Sequence, residues 1–115
     1  MNDNEQLQNF ITELRRGSLT LAVLGCLKCP HYGYALLQTI QEKGIDIEAN
    51  TLYPLLRRLE GQELLNSQWD TTEARPRKYY SVSPKGEALY KELGREWQSI
   101  QLRIDRICEE EKQNG

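Results

Sequence analysis

Cysteine is scarce and odd in number. Three thiols, Cys26, Cys29 and Cys108, cannot complete a disulfide framework, so reduced thiols in a cytoplasmic protein are the expectation. Long apolar runs are missing too: the longest, Leu21–Leu27, falls far short of the ~20 residues that cross a bilayer. The amino-terminal stretch carries Asp3, Glu5 and Glu13 and has no apolar segment of the signal-peptide kind, so no membrane association is expected. Charge of either sign is not in excess. A net charge of −2, from 15 Lys and Arg against 17 Asp and Glu, excludes a strongly basic, non-specific coat for nucleic acid. It leaves room for a site-specific binder with its basic groups gathered on one face. None of the GxSxG, Walker, HExxH or GxGxxG patterns is present, and the carboxylates are scattered over polar faces. No enzymatic activity, metal or cofactor is therefore expected.

What is present is concentrated in Thr51–Glu60, TLYPLLRRLE. Leu52, Leu55, Leu56 and Leu59 recur at helical spacing and form one apolar face. Arg57 and Arg58 straddle the opposite face, with Pro54 between them. Thr51 is placed to cap the first turn of a helix over Thr51–Glu63, which puts Pro54 where its missing N–H costs no intrahelical bond. A leucine back with an arginine front is what a DNA-recognition helix needs. The same pattern also describes a plain amphipathic surface helix, so the neighbouring segments have to decide.

Before this helix the chain predicts three-helix packing. Leu7, Phe10, Ile11 and Leu14 give the first helix its apolar face, and Arg15, Arg16 and Gly17 close it. Ser18 reads as the next N-cap, leading into Leu19–Leu27, a segment apolar nearly all round that belongs at the centre of the fold. Pro30 ends it. A further helix over Tyr32–Lys43 buries Leu36, Leu37 and Ile40 and stops at Gly44, and Ile45-Asp46-Ile47 alternates briefly in the manner of a short strand.

After the arginine helix the period changes from 3.6 to 2. Leu65, Ser67 and Trp69 alternate on one run, and Lys78, Tyr80 and Val82 on another. Between them Thr71–Arg77 forms a loop carrying Arg75 and Arg77, with Lys78 next: a β-hairpin with a basic tip. From Pro84 to about Lys112 one long helix follows. Its Tyr90, Leu93, Trp97, Ile100, Ile104 and Ile107 alternate at spacings of three and four, an a/d heptad seam. That seam is too long for a core of this size to cover. A second copy of the chain, together with the first helix, is expected to cover it. The fold class is mainly α with a small β-hairpin: a winged helix-turn-helix domain over residues 1–83 and a C-terminal dimerisation helix over residues 84–115.

HYGYALL at His31–Leu37, TLYPLLRRLE, and RPRKYYSVSPKG at Arg75–Gly86 stand in the order and spacing of the PadR-type transcriptional regulators. The chain resembles the short members of that family, those with a single carboxy-terminal helix, from Gly17 to about Ile107. It departs from them at Gln62-Glu63-Leu64-Leu65, where the family commonly has Gly-Leu-Ile, and at Val82-Ser83, where Leu-Thr is usual. The resemblance implies a homodimeric winged-helix repressor. Its recognition helices would enter successive major grooves of a pseudo-palindromic operator in double-stranded DNA, its wings would reach the flanking backbone or minor groove, and its last helices would exchange contacts with the partner.

Candidate DNA-binding residues are thus Thr51, Tyr53, Arg57, Arg58, Arg75, Arg77 and Lys78. Arginine forks match guanine O6 and N7 or a phosphate, while Tyr53 and Thr51 offer hydroxyls to phosphate. Candidate dimerisation residues are Tyr90, Leu93, Trp97, Ile100, Ile104 and Ile107. Trp97 reads first as interface packing; because some short PadR-like regulators hold flat aromatic compounds between such residues, it is also the candidate platform for a small aromatic ligand. A winged-helix adaptor docking an acidic protein, and a thiol redox switch at Cys26-Leu27-Lys28-Cys29, are the competing readings. The second is disfavoured because the pair falls at the end of an apolar helix, away from the helix start that lowers a thiol pKa. His31 reads as a capping or packing residue.

Overall fold

The computed structural model describes residues 2–114, with side chains through Glu109. The elements are α1 (Asp3–Arg16), α2 (Ser18–Cys26), β1 (His31–Tyr32), α3 (Gly33–Glu42), α4 (Ala49–Gly61), β2 (Leu65–Asp70), β3 (Arg77–Val82) and α5 (Pro84–Asn114). The architecture is mainly helical with a small antiparallel sheet and a long final helix, as the periodicities imply. As expected, α2 is central: it packs against α1, α3 and α5, and Val23, Leu24 and Leu27 at its end are fully buried. Leu36 and Ile40 of α3, Leu52, Leu56 and Leu59 of α4, and Ile47, Leu64, Leu65 and Tyr80 beyond them join the core, with Leu37 at its edge. Each leucine so buried favours the fold by roughly 2 kcal/mol relative to exposure, which fixes the rotation of α4 about its axis.

The sheet has order β1-β3-β2, all antiparallel. Its third strand was not expected. His31 and Tyr32 pair with Tyr80 and Tyr79, filling the edge of β3 that the hairpin leaves open. The short strand expected at Ile45–Ile47 does not form. That stretch is held in an irregular course, with Ile47 buried in the core and the Gln41 side-chain amide donating to the Ile47 carbonyl at 2.9 Å.

Two helix starts also differ from expectation. Ser18 is the first residue of α2 rather than its cap; its hydroxyl donates to the Arg15 carbonyl at 2.7 Å, and Gly17 alone joins the two helices in the right-handed region. In α4 the first turn is closed by N–H bonds from Thr51 and Leu52 to the Glu48 carbonyl, both 3.0 Å, so the helix begins at Ala49 without a side-chain cap. Thr51 is therefore inside the helix, and Pro54 too, where it removes the N–H that would have bonded to the Asn50 carbonyl.

The two helices flanking the turn end alike. The N–H of Ile45 reaches the Ile40 carbonyl and that of Gly44 the Gln41 carbonyl, with Gly44 at φ 90°. In α4 the N–H of Leu64 reaches the Leu59 carbonyl and that of Glu63 the Glu60 carbonyl, with Glu63 at φ 64°. Both are Schellman closures, which need a left-handed residue. Glu63 therefore bears a strain that glycine would not.

The first part of α5 packs on the core through Leu89, Tyr90 and Leu93. At 1.5 Å per residue its 31 residues run on the order of 46 Å, well past that support. Trp97, Ile100, Ile104 and Ile107 are exposed along the remainder. The first helix does not cover them within one chain: Leu7, Phe10 and Leu14 are themselves 55–75% exposed.

Replacing Glu63 by Gly should raise stability by about 0.5–1 kcal/mol, the left-handed penalty less glycine's extra chain entropy. Urea denaturation measures this directly; an unchanged or lower midpoint would contradict the strain argument.

Candidate nucleic-acid interface

Burial of Leu52, Leu56 and Leu59 leaves the other side of α4 to solvent, and Thr51, Pro54, Arg57 and Arg58 all lie exposed there. So does Asn50, which sequence reasoning missed. Asn50, Pro54, Arg57 and Gly61 stand at i, i+4, i+7 and i+11, one stripe directly opposite the leucines. A helix starting at Thr51 would leave Asn50 outside the stripe; the observed start at Ala49 brings it in. Arg57, Arg58 and Arg75 form no ion pair among the described residues. Tyr53 is turned differently: it is half-buried, with its ring laid against Gly33 at the start of α3.

The wing divides its three basic groups among three environments. Arg75 is exposed in the loop between β2 and β3. Arg77 is anchored at the loop end of β3, where it pairs with Asp70, 3.0 Å from the Glu73 carboxylate and 3.2 Å from the Tyr34 hydroxyl. Its guanidinium lies 5.5 and 5.8 Å from the ring centres of Tyr32 and Tyr34, which stack on one another. Lys78 faces inward: its ammonium is 3.0 Å from a Glu60 carboxylate oxygen, and the other oxygen accepts from Ser67. The sequence offers Glu60, Glu63 and Glu73 as partners of a solvated charged face; the structure pairs Glu60 with Lys78 and Glu73 with Arg77, and adds Tyr34, which the sequence does not single out.

The far end of β2 is tied to β1. The Tyr32 hydroxyl donates to Asp70 at 2.5 Å, and Thr72 adds its N–H at 3.0 Å and its hydroxyl at 2.7 Å. These bonds, Tyr32's first, hold the Asp70 carboxyl down at about 2, below its ordinary 3.8. Tyr32 in turn is raised, chiefly by the same bond.

The remaining candidates separate. Trp97 is 48% exposed and shares its open stripe with Ile100, Ile104 and Ile107, whereas Tyr90 and Leu93 are partly buried against the chain's own core. Cys26 is half-buried and burial pushes its thiol up, the opposite of what a reactive thiolate requires; Cys29 and Cys108 are exposed, and all three are free. His31 pairs with Tyr80 in the sheet, its Nδ1 2.8 Å from the Cys29 carbonyl, a structural position. Among the described residues no helix is long and apolar enough to cross a membrane.

A helix pair, α3 and α4, followed by an antiparallel β2–β3 wing defines the winged helix-turn-helix class of fold. The comparisons narrow that class. Residues 21–92 match the Transcriptional regulator PadR-like family, and the chain belongs to it. A PadR family transcriptional regulator from Eggerthella lenta is 42% identical, with 90% of this chain covering 93% of that one at a TM-score of 0.87. A PadR-like transcription factor from Bacteroides fragilis is 34% identical, covering 86% of this chain and 98% of that one at a TM-score of 0.72. Transcriptional regulator Rv3488 of Mycobacterium tuberculosis is 36% identical over 61 residues, 53% of this chain and 57% of that protein. The chain thus aligns with little more than half the length of this curated relative.

Because folding lowers the Asp70 carboxyl, the stability drawn from its bonds is full above its ordinary 3.8 and fades as pH falls toward about 2. An NMR titration should place the Asp70 midpoint near 2 and move it upward in Tyr32→Phe. A wild-type midpoint at the ordinary carboxylate value would contradict the bonded arrangement.

Proposed function

We propose that this regulator is a homodimeric repressor that binds a pseudo-palindromic operator in double-stranded DNA through α4 and the wing, and is released by a small aromatic ligand. The observation that carries the DNA reading is the stripe of Asn50, Pro54 and Arg57, flanked by Thr51 and Arg58, set outward by the buried leucines. An exposed side of this composition suits the major groove. Asparagine can pair with adenine N6 and N7, arginine with guanine O6 and N7, and proline makes room for close approach without a polar demand. The unpaired Arg57 and Arg58 give up no protein partner when they meet DNA. Arg75 in the hairpin loop and Arg77 with Tyr34 at the loop end of β3 suit flanking phosphates, and Tyr53 is a further candidate.

What supports dimerisation is two open apolar faces on one chain, Leu7, Phe10 and Leu14 on α1 and Trp97, Ile100, Ile104 and Ile107 on α5. Surfaces of this kind on a small soluble chain mark a protein interface, and a second copy supplies both complements at once. Near a twofold axis the two Trp97 rings would offer flat apolar surfaces to an aromatic ligand. A ligand wedged there would alter the spacing of the two α4 helices, and with it the match to half-sites one helical turn apart.

Arg57→Ala should weaken binding to a selected operator by about 1–3 kcal/mol and relax preference at one position of each half-site. Arg75→Ala should weaken binding evenly across sequences and reduce the slope of log affinity against log salt by about 1 per subunit. Wild-type affinity and selectivity in the double alanine variant would refute this docking.

A further inference from the structure

The wing's outer half has little hydrophobic hold on the rest of the molecule. Leu65 and Tyr80 at its root are buried, but Trp69 is 64% exposed, and a two-stranded ribbon alone is marginally stable in water. One face of the ribbon is tied to β1 through Tyr32 and Asp70. On the other face Ser67 and Trp69 of β2 stand opposite Tyr80 and Lys78 of β3, so all four side chains share a side. Glu60 meets that side from the last turn of α4. One carboxylate oxygen accepts from the Ser67 hydroxyl on β2, and the other takes the Lys78 ammonium on β3 at 3.0 Å. A single side chain therefore grips both wing strands. Among the described residues it is also the one side chain of α4 hydrogen-bonded to β2 or β3.

From this geometry we infer that Glu60 is a positioning residue that fixes the angle of the wing to α4, and that Lys78 serves as its counter-ion rather than as a phosphate contact. The inference rests on the DNA-binding reading for its functional consequence but not for the clasp itself.

Burial separates this pair from the molecule's other ion pairs. Glu60 and Lys78 are each 29% exposed, against 41% and 63% for Arg77 and Glu73 and about 60% for Arg103 and Glu96. A more buried pair is screened less by salt, and losing one member leaves the other charge poorly compensated. The Lys78 ammonium is further walled by the rings of Tyr80 and Trp69, 5.3 and 6.0 Å from their centres. The ionised forms support one another: Glu60 is lowered, first by Ser67 and then by Lys78, and Lys78 is raised, first by Glu60. If the wing and α4 must span a fixed distance on one duplex, their mutual angle decides whether both engage at once. Tethering of this kind multiplies affinity only when the geometry is held.

Two measurements test the clasp. In DNA-free protein, amide hydrogen exchange in β2 and β3 should accelerate tenfold or more in Glu60→Ala and less in Glu60→Gln, which keeps a hydrogen-bonding group for Ser67. Exchange in α2 should stay at the wild-type rate, which separates the effect from general unfolding. The charge swap Glu60→Lys with Lys78→Glu should recover much of the protection. On DNA selected by the wild type, shortening the duplex so that the wing has no flanking backbone should cost the wild type about tenfold in affinity but Glu60→Ala far less. Unchanged exchange in Glu60→Ala would overturn the clasp, and an equal cost of shortening in wild type and variant would overturn its role in setting the wing on DNA. Failure of the wild type to select any DNA would defeat the DNA reading instead, and exchange would still decide whether Glu60 holds the wing.

Discussion

Around the Leu64 carbonyl, three parts of the molecule meet within a few residues. It accepts the Ser83 N–H at 3.0 Å, and the backbone of Gly86 lies so close that a Cβ there would stand 2.1 Å from the oxygen. Ser83 also donates its hydroxyl to the Glu63 carbonyl at 2.7 Å while accepting the Gly86 N–H at 3.0 Å, which caps α5. The end of α4, the root of the wing and the start of α5 are thus one joint. No side chain larger than hydrogen fits at residue 86, and a buried Ser83 without a hydroxyl would strand the polar groups it serves. The Val82 N–H, bonded to the Leu27 carbonyl at 2.8 Å, ties the same joint to the end of α2.

Rigidity at this joint links surfaces that share no residues. The outward stripe of α4 and the open stripe of α5 are oriented relative to one another by the joint and by the leucines packed against α2. In the proposed assembly, a change of spacing between two α5 helices would therefore be transmitted to the two α4 helices as a rigid movement. Net charge shapes the same proposal. At −2 the chain cannot rely on bulk attraction to phosphate, and among the described residues the basic groups without an ion pair on the proposed DNA-binding side are Arg57, Arg58 and Arg75. Affinity would have to come from two subunits engaging together, with base contacts supplying the discrimination.

The parts legible in the sequence were those written in local periodicity. The leucine back of α4, the central α2, the alternating wing strands and the heptad seam of α5 each declare themselves within a window of ten to twenty residues. The parts that were not legible depend on partners far along the chain. His31 and Tyr32 become a strand because β3 has a free edge beside them, a circumstance no local pattern announces. The start of α4 was misplaced by two residues because Thr51 looks like a cap while Glu48, the actual cap, forms no side-chain bond. Glu60 and Lys78 are separated by the whole hairpin loop, and each alone reads as an ordinary surface charge. The sequence leads one to expect the first helix to help cover α5, but the apolar faces of both helices are open within one chain.

Selection of DNA from a random-sequence library by the purified protein, followed by anisotropy competition of the selected duplex against scrambled DNA at several salt concentrations, tests the central claim most directly. The account predicts enrichment of an inverted repeat whose half-sites lie about 10–10.5 base pairs apart, bound far more tightly than scrambled DNA. Failure to enrich any sequence, with selected and scrambled duplexes bound alike at every salt concentration, would contradict it.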